Sequence, residues 1–94
     1  MKNINDYASI SLLLNHKAAF ACLVEYCGIP RASKLTGISS STYHRRIKAL
    51  EAYTGVKLVE RIRRPLKLTH YGMAYYHCCS AMLEHAKAAN NVFE

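Results

Sequence analysis

Ninety-four residues with a 51% hydrophobic fraction are enough for one modest core and leave little for a second domain. Thirteen Lys and Arg against six acidic residues give a formal charge of +7, which suits a polyanion partner through counterion release and leaves few carboxylates for acid–base chemistry. Leu12-Leu13-Leu14 is far too short to span a bilayer and polar residues interrupt the N-terminal segment. The expectation is a cytoplasmic protein with no membrane partner, its four cysteines reduced.

Residues 1–15 read as an N-terminal extension, where Asn5 or Asp6 can cap a short helix bearing Tyr7, Ile10 and Leu13 or Leu14 on one side. That helix packs either on the domain or on a dimer partner. Residues 16–69 form the main domain. Cys22 sits within the apolar face of its first helix and Cys27 near that helix's end, and both read as packing residues.

The stretch Ala32–Glu51 reads as two short amphipathic helices joined by a turn at Gly37, which supplies the permissive backbone. The first buries Ala32 and Leu35, Ile38 closes the small core, and Ser39 accepts from free N–H groups of the second helix. In that second helix, 39–53, Tyr43, Ile47 and Leu50 fall at i, i+4, i+7 and face inward. Ser40, Ser41, His44, Arg45 and Lys48 are left on the other side, with Arg46 on the flank. Two readings fit this pattern: a helix-turn-helix that lays its second helix in the DNA major groove, or a helical hairpin with a solvated charged face.

The residues after the second helix favour the helix-turn-helix. Thr54-Gly55 is a helix stop, residues 56–62 alternate enough for a strand, Arg63-Arg64-Pro65 makes a turn, and 66–69 returns as a second short strand. A β-hairpin with arginines at its tip, directly after a helix-turn-helix, is the layout of a winged helix. Arg63 and Arg64 can reach phosphates or a minor groove, and proline at the tip removes no ladder hydrogen bond.

Thr69 can cap a last helix starting at His70 and running to about Asn90, within a C-terminal segment 70–94. Tyr76, Cys79, Leu83, Ala86 and Phe93 recur along it at spacings of three, four, three and seven, the seam of a helix that pairs with another; Tyr75, Met82 and Ala89 broaden the stripe. The alternative is a helix that only folds back on its own domain. About twenty residues span roughly 30 Å, more than so small a domain needs to cover, which favours a homodimer.

His70, His77, Cys78, Cys79 and His85 include common zinc ligands, but no pair stands at i, i+4 with a third nearby and no Cys-x-x-Cys exists, so no metal and no cofactor are expected. Adjacent Cys78 and Cys79 offer a redox switch at the seam as a minority reading behind simple packing. Asp6 is the sole aspartate, Glu25, Glu51 and Glu60 fit surface roles, and no phosphate loop or nucleophile motif appears, so no enzyme is expected.

Phe20, Arg31-Ala32, Ile38-Ser39, Arg45, Ile47, Leu50-Glu51, Gly55-Val56, Leu58, Glu60-Arg61, Leu68-Thr69 and Gly72 stand in order and without a gap. In that spacing the chain resembles the N-terminal DNA-binding domain of LysR-type transcriptional regulators. It departs from the family pattern at Ser40-Ser41, where Gln-Pro is common, and at His44, where a small Ser is usual. Val59 stands for Phe, Gly28 for Ser and Ser33 for the second Ala. Because base-reading positions differ, the resemblance carries fold and docking mode but no sequence preference.

The fold class is therefore mainly α with a small β-hairpin wing, a winged helix-turn-helix followed by a long dimerisation helix. The resemblance implies double-stranded DNA with a two-fold symmetric site as partner and the C-terminal helix as dimer interface. The expected DNA-binding residues are Arg31, Lys34, Ser39, Ser40, Ser41, Thr42, His44, Arg45, Lys48, Arg63 and Arg64. Family members carry a ligand-binding domain after the linker helix and this sequence has none, so a small stand-alone transcriptional regulator is expected. The alternatives are a co-regulator or antagonist that heterodimerises with a full-length regulator through its C-terminal helix, and a fragment of a longer regulator.

Overall fold

A computed structural model describes residues 7–93, apart from the side chains of Ser9, Ile10 and Leu12. Four helices and one hairpin run in order: α1 (Tyr7–Glu25), α2 (Ile29–Thr36), α3 (Ser40–Thr54), β1 (Val59–Arg61), β2 (Lys67–Leu68) and α4 (His70–Asn91). The expected caps at Asn5 or Asp6, and the side chain of Ile10, lie outside the described residues. The extension and the first domain helix are one element, since α1 runs unbroken through residue 15. Of the two leucines, Leu13 turns inward and Leu14 is exposed.

The core forms where α1 lies across α3 and α4. Phe20, Ala21 and Leu23 of α1 meet Ile29 and Ala32 of α2, Tyr43, Ile47 and Leu50 of α3, and Cys79 of α4, all buried. The i, i+4, i+7 stripe of α3 is thus the inward face, as its spacing requires. Phe20 meets Tyr75 of α4 with ring centroids 5.9 Å apart, and burial pushes the Tyr75 phenol up to about 12.

One expectation about α2 is wrong. Leu35 is 55% exposed, and the helix starts at Ile29, with a proline in its first turn, three residues before Ala32. The inward stripe after Ile29 and Ala32 is completed by two hydroxyls. Ser33 Oγ donates to the Ile38 carbonyl at 2.6 Å; Thr36 Oγ1 bonds the buried Tyr43 hydroxyl at 2.8 Å and accepts from Ile38 N–H at 3.3 Å. Those bonds fix the rotation of α2 and leave Leu35 on the outside.

Local chemistry sets the helix ends. Ser39 Oγ accepts from Thr42 N–H at 3.2 Å, the cap that starts α3. Gly37 and Gly55, at φ 77° and 76°, close α2 and α3 in the left-handed conformation, each donating its N–H back into the helix. Cys27 adopts a left-handed φ of 61° after α1 and is exposed, so it does not pack as expected, while Cys22 is half-buried.

The wing is shorter than its sequence pattern. Strands expected over 56–62 and 66–69 pair only as Val59 with Leu68 and Arg61 with Lys67, antiparallel, with an irregularity between. So short a ladder holds little by itself. The hairpin is anchored at both ends by side chains of the helices' termini. Glu51 in the last turn of α3 accepts the Leu58 and Val59 N–H groups at 2.8 and 3.1 Å, which corrects its assignment as a surface residue. Thr69, the cap of α4, donates its N–H to the Leu58 carbonyl at 3.0 Å and its hydroxyl to the Lys57 carbonyl at 2.6 Å, and accepts Gly72 N–H at 3.0 Å.

α4 is shared between two environments. In its first half Cys79 is buried to 2% exposure and Tyr76 and Leu83 pack half-buried against the core, whereas every residue from Glu84 to Phe93 is exposed. The expected seam is therefore split. Cys79 points into its own domain and has no surface for a partner, while Ala86 and Phe93 are free. No described helix is long and apolar enough to cross a membrane.

This arrangement also separates the two adjacent thiols. Burial pushes the Cys79 thiol up to about 11, whereas Cys78 is exposed. Burial thus both shields the Cys79 sulfur and keeps it in the unreactive thiol form near pH 8. Iodoacetamide should therefore alkylate Cys27 and Cys78 in the folded protein and spare Cys79, read by peptide mass mapping. Equal labelling of Cys78 and Cys79 would mean that α4 does not dock on α1.

Candidate nucleic-acid interface

The exposed side of α3 is set by the burial of the other. With Tyr43, Ile47 and Leu50 inward, Ser41, Arg45 and Lys48 fall on one outward stripe at i, i+4, i+7, and Ser40 and His44 on the next. All five are exposed. Thr42 is half-buried and its hydroxyl accepts from Ser39 Oγ at 2.9 Å, so these two side chains serve first to start the helix.

The tertiary structure adds neighbours that are remote in sequence. An open cleft brings Arg31 from α2, Ser40 and His44 from α3, and Arg63 and Arg64 from the wing tip to one concave face. A smaller crevice between α3 and β1 adds Lys48 beside Lys57 and Glu60. Lys34 and Arg45 are exposed on the outer sides of their helices and line neither. Ala86, on the far part of α4, and Phe93, just past its end, belong to no part of this face.

Several basic residues were missed. Lys67 lines the cleft and is held 3.4 Å from Glu60 across the wing, an exposed pair of small energetic value. Arg61 donates to the Arg64 carbonyl at 3.3 Å and so braces the arginine tip from behind. Lys57 lies where the chain leaves α3. The alternating charges of Lys57, Glu60, Arg61 and Lys67 carried a strand signal, and nothing in that alternation said which face would turn toward α3.

Among the described residues, no group of three or more His, Cys, Asp or Glu side chains is placed to hold a metal ion.

A short helix, a left-handed glycine turn, a Ser-capped second helix with a polar outer face, and a two-stranded hairpin beside it define a winged helix-turn-helix domain. The chain belongs to the bacterial regulatory helix-turn-helix proteins of the lysR family, whose family model matches residues 14–73. It is 34% identical over 71 residues to an HTH-type transcriptional repressor of Pseudomonas aeruginosa, covering 76% of this chain and 22% of that protein. It is also 32% identical over 72 residues to the regulator PtxR of the same species, covering 77% of this chain and 23% of PtxR. The chain thus spans less than a quarter of the length of these two curated relatives.

Among solved structures, the full-length virulence activator AphB of Vibrio cholerae superposes with a TM-score of 0.75 at 35% identity, covering 82% of this chain and 27% of AphB. The DNA-binding domain of BenM, in complex with catB site 1 DNA, superposes at 0.75 with 28% identity, covering 85% of this chain and 89% of that domain.

Proposed function

We propose that this chain binds double-stranded DNA as part of transcription regulation, with α3 in the major groove and the wing on the flanking backbone or minor groove. The observation that carries this reading is the convergence of Arg31, Ser40, His44, Arg63 and Arg64, from three separate elements, on one concave face whose lining contains no carboxylate. Ser40, Ser41, His44 and Arg45 face base edges or nearby phosphates; Arg31, Lys34 and Lys48 hold backbone. Likeness to a BenM domain described with DNA supports the docking mode.

Fluorescence anisotropy with a random-sequence duplex at two salt concentrations tests it. Binding that weakens steeply with salt is the expected result, and no binding at low salt would sink the reading. Arg45→Ala should weaken binding to a selected operator by ~1–3 kcal/mol if Arg45 reads a base. A loss equal on all sequences would assign Arg45 to the backbone.

The working form is a homodimer paired through the distal half of α4, so that two recognition helices address a two-fold symmetric site. Exposed Ala86, Val92 and Phe93 support that pairing, Phe93 at 93% exposure. Ala86→Arg, at a position exposed in the single chain, should shift sedimentation from dimer to monomer while the helical circular dichroism of the domain stays unchanged. A wild-type monomer that binds a full-length lysR-family regulator through α4 would favour the heterodimer reading.

A further inference from the structure

The cleft between the α1–α2 junction and the wing has a composition that a phosphate backbone does not require. Its volume is about 1120 Å³, just above the ~300–1,000 Å³ found for small-molecule sites. Val24 and Ile29, Leu66 and Leu68, and Met73 of α4, 48% exposed, contribute aliphatic side chains to its lining. Arg31, Arg63 and Arg64 line it as well, with Lys67 partly engaged by Glu60, and no acidic side chain lines it. Phosphodiesters need the cations and gain nothing from aliphatic walls. A cleft lined by both cationic and aliphatic side chains is complementary to a molecule with one negative end and a long hydrocarbon body.

We propose that this cleft binds a free long-chain carboxylate, its chain against the aliphatic lining side chains and its carboxylate among the lining guanidinium groups. Since Arg31, Ser40, His44, Arg63 and Arg64 also form the proposed DNA face, the bound carboxylate excludes DNA. This second consequence rests on the DNA-binding reading; the binding of the carboxylate does not. The ligand would then control the domain directly at its contact surface.

Sodium decanoate titrated into the isotope-labelled protein without DNA, followed by methyl and amide NMR, tests the site itself. Saturable shifts at Leu66, Leu68, Met73 and Ile29 are expected, with butyrate about fiftyfold weaker if three of decanoate's six additional methylenes are buried and about four-thousandfold weaker if all six are, at roughly fourfold per buried methylene. Decyltrimethylammonium, with the same chain and the opposite charge, should not saturate the cleft. Equal binding of the two chains, or shifts confined to the exposed end of α4, overturns the proposal. Met73→Gln should weaken decanoate about tenfold; unchanged decanoate affinity in that variant also overturns it. In the competition arm, decanoate should release a bound duplex where butyrate at equal ionic strength does not. Decanoate seated in the cleft with duplex affinity untouched would overturn the exclusion of DNA. Absence of duplex binding altogether would be a failure of the DNA reading, which the direct titration distinguishes.

Discussion

Replacing Gly72 with alanine is expected to destabilise the domain by about 3 kcal/mol or more, toward the upper end of what forced overpacking costs. Gly72 lies in the first turn of α4, where the helix backbone rests on the chain entering the wing. A Cβ there would stand 2.9 Å from the Leu58 carbonyl carbon and closer still to its oxygen. That oxygen cannot swing away, because Thr69 N–H is bonded to it at 3.0 Å and Leu58 itself is fully buried. The change therefore forces α4 off the wing or breaks the Thr69 cap.

Gly37→Ala is the control. Nothing lies within 4 Å of a Cβ at Gly37, so only its left-handed φ is strained, at about 1–2 kcal/mol. Urea unfolding of both variants, followed by circular dichroism, separates close approach from backbone strain. A Gly72→Ala protein no less stable than Gly37→Ala would show that α4 and the wing do not touch in this way.

Glu51→Ala should cost about 2–3 kcal/mol, the scale of losing hydrogen bonds to a charged acceptor. Its carboxylate is the acceptor for the N–H groups of Leu58 and Val59, whose side chains are both buried, so neither donor finds water easily. The loss should be uneven. Amide exchange is expected to accelerate in residues 57–68 more than in the α1–α3 core, since the wing then keeps only its short ladder and the Thr69 bonds. If the proposed DNA face is right, salt-dependent affinity falls with it, because Arg63 and Arg64 lose their fixed position. Glu51→Gln keeps one acceptor oxygen and should recover part of both effects. An unfolding free energy within about 0.5 kcal/mol of wild type for Glu51→Ala would remove this anchor from the account.

These two residues also mark how far the sequence could be read. The order of matches from Phe20 to Gly72 includes Glu51 and Gly72, and their positions point to the family and hence the fold. Neither residue shows its task in one dimension: a glutamate at the end of an amphipathic helix looks solvated, and a glycine after a threonine cap looks like a weak helix former. Leu35 and Cys79 failed for a related reason. Periodicity places Leu35 inside α2, but hydroxyl bonds of Ser33 and Thr36 set that helix's rotation. Periodicity places Cys79 on a partner-facing seam, but α1 covers that stripe as far as Leu83.

Local features were legible in the chain alone: the inward stripe Tyr43, Ile47, Leu50, the Ser39 and Thr69 caps, the glycine stops, and a basic hairpin after the second helix. Each of these depends on neighbours within one or two turns, where the 3.6-residue period and capping chemistry act directly. Which faces are shared emerged from the packing of the elements. That packing brought Arg31 and the wing arginines to one cleft, attached the wing through Glu51 and Thr69, and left the distal part of α4 uncovered. Those outcomes depend on contacts between elements far apart in the chain, which no local period encodes.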